Sequence, residues 1–187
     1  VVTGVGANGF FVQVHPDDAD YQGPEYSGLF VYRGAASKPA EGDRVDVGGN
    51  VTDFFGQIQL DADTAPAPVV LSSDNPVPDP EVVAAIDIVE GGALQAQYEG
   101  VLVRAFALTV TDPAPPGGPG DAMITCEFEV TGGLRVNDFF YCVEPYPLLG
   151  TSYSSIIGIA RWANDYTKLE PRSIADYPAS LIGFGAP

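Results

Sequence analysis

The chain has 187 residues, with 25 Asp plus Glu against eight Lys plus Arg, a formal charge of -17 and an estimated pI near 4.1. Its 45% apolar content, with nine Tyr and ten Phe, is that of a folded chain despite the acidity. One His and two Cys exclude a paired-histidine hydrolytic site, the charge disfavours nonspecific nucleic-acid binding through phosphate neutralisation, and no apolar run of about 18 residues marks a membrane helix.

In chain order, short β-branched and aromatic runs alternate with clusters drawn from 22 Gly and 17 Pro, the pattern of many strands joined by loops. Val1 to Val5, Gly9 to Gln13 and Ser27 to Arg33 read as strands, with a polar loop from His15 to Tyr26 between the last two. Arg44 to Val47 and Gln57 to Leu60 alternate as half-buried strands do, and Gly48-Gly49 marks a bend before Val51. Thr64 to Pro80, with five Pro, reads as a linker or extended crossover. Glu81 to Ile86 follows as a short helix, with Asp79 as cap and Pro80 in its first turn. Strands are then expected within Tyr98 to Thr111, Ile124 to Val130, Leu134 to Tyr141, Ser155 to Ala163 and Tyr166 to Leu169.

Gly49 to Leu60 can be set without a gap against Gly158 to Leu169, with identity at Gly49/Gly158 and Leu60/Leu169. That match divides the chain into two five-strand units of similar order. The expected fold is all-β: two tandem OB-like five-stranded barrels with a short helix or irregular crossover between them. The boundaries are 1–63 for the first unit, 64–97 for the linker, 98–177 for the second unit and 178–187 for a C-terminal tail.

The residues Asn8-Gly9-Phe10-Phe11-Val12-Gln13, Ser27-Gly28-Leu29-Phe30-Val31-Tyr32, Gly42-Asp43-Arg44-Val45-Asp46-Val47 and Val51 to Leu60 carry a family resemblance, continued by Tyr98 to Arg104. The chain resembles the OB-like modules that precede the catalytic domain in large secreted bacterial nucleases and related multidomain surface proteins. The resemblance implies a secreted, extracellular or cell-surface setting and a noncatalytic role. The nuclease chemistry of such proteins lies in a separate metal-dependent domain, and the resemblance brings no ligand.

Cys126 and Cys142 fall in two strand-like segments around a turn at Gly132-Gly133, either as a disulfide stapling neighbouring strands or as two buried thiols. Asp17, Asp18 and Asp20 with Glu25 could supply oxygen ligands to Ca²⁺ as a cofactor; a hydrated acidic loop is the alternative. His15, without a nucleophile motif beside it, reads as a solvent-exposed loop histidine, and no catalytic residue is assigned. Phe10, Phe11, Phe30, Tyr32, Phe54 and Phe55 could stack on bases, but residues 1–90 carry 15 acidic and three basic side chains, net -12, against net -5 for 91–187. Consecutive strand residues face opposite sides, so one member of each Phe pair is expected to be exposed. Trp162, with Tyr153 and Tyr166, is a candidate ligand surface for carbohydrate or protein.

Val1 and Val2 at one end, and Leu181, Ile182 and Phe184 at the other, could pair head to tail between copies through open strand edges. The functional expectation is a secreted, noncatalytic structural protein that self-assembles into a filament or surface layer. Its alternative is a carbohydrate-, protein- or nucleic-acid-binding spacer module of a larger secreted enzyme, nucleic acid being the least favoured partner.

Overall fold

Residues 1–121 and 125–178 are described by a computed structural model. In the first half, β1 (Val2–Val5), β2 (Gly9–Gln13) and β3 (Gly28–Tyr32) form an antiparallel meander. β3 then runs parallel to β6 (Gln57–Asp61), which folds back antiparallel on β5 (Asn50–Phe54). The sheet order is β1-β2-β3-β6-β5, and a separate ribbon pairs β4 (Arg44–Asp46) with β7 (Val69–Ser72).

The second half repeats that order. β9 (Leu102–Asp112), β10 (Phe128–Val130) and β11 (Leu134–Val136) make the meander, β11 runs parallel to β13 (Tyr166–Glu170), and β13 folds back on β12 (Ser152–Ala163). Here β12 also pairs with β9, from Ser152↔Thr109 to Ile159↔Leu102, and so closes a five-stranded barrel. The all-β expectation holds with one closed barrel. The first half has the same strand sequence as an open sheet.

Two stretches of the crossover differ from expectation. Within the supposed linker, Val69–Ser72 is β7, because its run of apolar residues finds a partner strand in β4. Glu81–Val83, expected as helix, is a strand, β8, lying parallel to β9 through Glu81↔Val103 and Val83↔Ala105. Val82 and Val83 are stiff β-branched residues that a neighbouring strand accommodates better than a helical turn. Within this crossover the helical residues are Ala85–Ile88, α1, a single turn whose Ile88 is fully buried.

Three apolar clusters follow. Phe10, Val2 and Val31 centre the core of the first half, and the barrel encloses a larger one around Leu108, Phe128, Leu134, Ile156 and Leu169. The third lies between the halves: Phe11 and Phe30 meet Leu102 and Ile159, with Phe139 and Phe140 packed against them. Phe11 sits 4.9 Å from Phe30 and 6.0 Å from both Phe139 and Phe140, ring centre to ring centre. Leu102 N donates to Gln13 Oε1 across the same seam at 3.1 Å, fully buried. Gly28 and Gly100 bring two backbones together there; a Cβ on Gly28 would collide with the Gly100 carbonyl.

The disulfide alternative is the one the structure shows. Cys126 and Cys142 are bonded, their Cα atoms 5.6 Å apart. They lie just outside β10 and β11 instead of within strands, and tie together the loops that flank this hairpin. Its turn includes Gly132 and Gly133, both at positive φ.

Candidate functional site

The two segments matched in the sequence are both hairpins with two-residue turns. Phe54 pairs with Gln57 around Phe55-Gly56, and Ala163 pairs with Tyr166 around Asn164-Asp165. All four turn residues have positive φ: 52° and 87° in the first turn, 56° and 65° in the second. Tight turns of this kind follow the right-handed twist of the strands they join. Gly56 has a second constraint, since a Cβ there would approach Trp162 Nε1 to 2.5 Å.

The tips of these equivalent hairpins meet. Trp162 Nε1 donates to the Phe55 carbonyl at 3.2 Å, joining the halves 107 residues apart in sequence. Between them opens a cleft of about 400 Å³, with Phe54, Phe55 and Trp162 as its aromatic walls. Phe54 and Phe55 form an edge-to-face pair at 4.9 Å and remain 56% and 81% exposed. Asn164 Nδ2 donates to Pro119 O at 3.0 Å, which holds the Pro119-Gly120 loop against the cleft.

Polar groups converge on the same space. Gln57 and Arg161 line it, together with the exposed carboxylate of Asp165. Arg161 is fixed by the ring of Phe139, 4.4 Å from its guanidinium carbon, and by Glu170 Oε1 at 3.5 Å. Burial pushes the Glu170 carboxyl up, while Arg161, Asn137 and the Phe139 N–H pull it down. Glu99 lies close by at the seam. Burial, reinforced by Asp53, raises its carboxyl from 4.5 to about 7, against the opposing influence of the Ile58 N–H and Arg161.

Of the expected ligand surface, only Trp162 lines the cleft. Tyr153 is buried inside the barrel, its ring 6.2 Å from Phe128 and 5.6 Å from Tyr177. Tyr166 turns one face to the Arg135 guanidinium at 3.4 Å. Arg135 belongs to a buried charge network: its Nη1 and Lys168 Nζ each reach a different oxygen of Glu127 at 2.6 Å, and Asp121 lies 3.3 Å from Lys168.

The acidic loop does not gather its carboxylates. Among the described residues no group of three or more His, Cys, Asp or Glu is placed to hold a metal ion. Asp18 pairs with Arg44 and accepts from His15 N, whereas Asp17, Asp20 and Glu25 are exposed. His15, expected to be solvent-exposed, is buried instead, because Asp17 N donates to its Nδ1 at 3.2 Å and the loop folds over it.

The first proposed joining end is already engaged within the chain. The Val1 amine donates to Gln13 O, and Val2 is fully buried, bonded through N to Asp43 O and through O to Gly42 N. Leu181, Ile182 and Phe184 lie outside the described residues.

The expectation that one member of each Phe pair is exposed also fails, in opposite ways. Phe10 and Phe11 are both fully buried, because the second half covers the face that Phe11 presents. Phe54 and Phe55 are both exposed, because Phe55 occupies a turn. Sequence reasoning missed Gln57 and Arg161 at this site, and Glu99 at the seam beside it. The gap-free match did hold a signal, since it aligned Phe55-Gly56 with Asn164-Asp165, but it carried no information that the tips face each other.

No family model, no curated protein and no solved structure matches the chain. Among the described residues no helix is long and apolar enough to cross a membrane.

Proposed function

We propose that this protein is a secreted, noncatalytic binding module built from two OB-like units, and that it holds a neutral saccharide in the cleft between their equivalent hairpins. The observation that carries this reading is the convergence of Trp162, Phe54 and Phe55 from both halves on a space also lined by an amide, a guanidinium and a carboxylate. Sugar rings present apolar C–H faces to aromatic rings and hydroxyls to groups of those three kinds. An acidic chain of net charge -17, with Asp165 at the rim, favours a neutral ligand over a polyanion. The Cys126–Cys142 disulfide supports an oxidising, extracellular setting.

Trp162 is the single Trp, so its fluorescence reports on the cleft alone. Titration with β-1,4-linked trisaccharides should give a saturable change, and Trp162→Ala should weaken binding at least tenfold by calorimetry while the chain stays folded. A flat titration across neutral oligosaccharides would remove the reading.

Self-assembly retains one supporting observation. β5 ends its sheet, and its residues Val51 and Phe54 are 72% and 56% exposed, which leaves an edge able to accept another strand. Electron microscopy of concentrated protein should then show polymers that Val51→Lys shortens; isolated particles at all concentrations would exclude it.

A further inference from the structure

Gln57 lines not only the cleft but also a second cavity of about 250 Å³ at the seam between the halves. Phe11, Leu29, Phe30 and Ile58 supply its apolar walls, and Glu99 lines it as well. Gln57 is only 3% exposed, yet its Nε2 has no hydrogen-bond partner among the described residues, nor does the buried Glu99 Oε1. Buried polar groups are rarely left unpaired, so an unused donor and an unused acceptor on two residues that line one apolar-walled cavity point to a small polar group with an apolar end as its occupant.

We propose, resting on the saccharide reading above, that this cavity seats the acetamido group of an N-acetylated sugar whose ring lies in the cleft. The acetamido carbonyl accepts from Gln57 Nε2, its N–H donates to Glu99, and its methyl packs on the walls formed by Phe11, Phe30 and Ile58. A neutral group suits the position, since Glu99 already places a carboxyl there. Gln57, shared by the two spaces, is the side chain that couples the sugar ring to its substituent.

The test compares tri-N-acetylchitotriose with cellotriose on the full chain by calorimetry, because the two share a β-1,4 backbone and differ at the 2-position. The N-acetylated sugar should bind at least tenfold tighter, and Glu99→Leu should erase that preference. Equal affinity of the wild-type chain for both sugars overturns the acetamido assignment and leaves the cleft reading standing; binding of neither removes both. A preference that survives in folded Glu99→Leu also overturns it. Should that variant fail to fold, the wild-type complex decides by NMR: acetyl-methyl contacts to the Phe30 ring support the assignment, and contacts confined to Trp162 overturn it.

Discussion

The two halves run their five strands in one order, yet β12 reaches β9 in the second half while β5 stays apart from β1 in the first. Strand length accounts for the difference. β9 and β12 have 11 and 12 residues, whereas β1 and β5 have four and five. Along one edge β9 pairs with β12; along the other it pairs first with β8 and then, beyond Ala107 at φ 53°, with β10. A strand that must bond to neighbours on both sides while curving around a core needs this reach. The short strands of the first half instead leave the sheet open, and the second half covers one face of it with Phe139 and Phe140. Closing a sheet on itself and covering an open sheet with a neighbour are thus two solutions to the same burial problem, used side by side.

That contrast can be broken first at the seam. Phe11 is fully buried between the halves, so Phe11→Ala should destabilise the chain by about 3–5 kcal/mol in denaturant titrations, while exposed Phe54→Ala should change stability by less than about 0.5 kcal/mol. Equal small effects would show that the open sheet does not depend on its cover.

The barrel's own reinforcement gives the next largest effect. Replacing Cys126 and Cys142 together by Ser removes a cross-link spanning 16 positions and should cost roughly 3 kcal/mol. Its site of action is the hairpin β10–β11, so hydrogen exchange should quicken there and remain unchanged in β5.

The smallest effect sharpens the comparison at the seam through pH. The carboxyl of Glu99 titrates near 7 in the folded chain and near 4.5 when unfolded. Between those values the folded state keeps a proton that the unfolded state has lost, so this group's contribution to stability falls as pH rises from 4.5 through 7. Glu99→Gln should therefore be the more stable protein at pH 8, by on the order of 1–2 kcal/mol after allowance for solvent screening, with the advantage gone at pH 4. A pH-independent difference in thermal unfolding would contradict the buried position of the charge.

Several elements were legible because they rest on local chemistry. Gly9 to Gln13 and Gln57 to Leu60 show strand character through β-branched, aromatic and alternating residues, and β2 and β6 fall on them. The matched segments Gly49–Leu60 and Gly158–Leu169 proved to be hairpins with their turns in register. Other features depended on distant partners. The Pro-rich surroundings of Val69 concealed β7, and Glu81–Val83 became a strand only because β9 runs beside it. Tyr153 looked like a surface aromatic until barrel closure enclosed it. At the cleft, Trp162 stood out as a lone large aromatic, but Gln57 and Arg161 are ordinary residues that acquire meaning from the space they share, as Glu99 does from the seam cavity it shares with Gln57.

By itself the sequence determined that this chain is built of strands and that one segment of each half can be matched without a gap, because strand alternation and turn chemistry operate over a few neighbours. The tertiary structure alone decided which half closes, which Phe is covered and which side chains face one another across the cleft. Those outcomes depend on contacts between residues about a hundred positions apart, as in the bond from Trp162 to Phe55, and no local pattern encodes them.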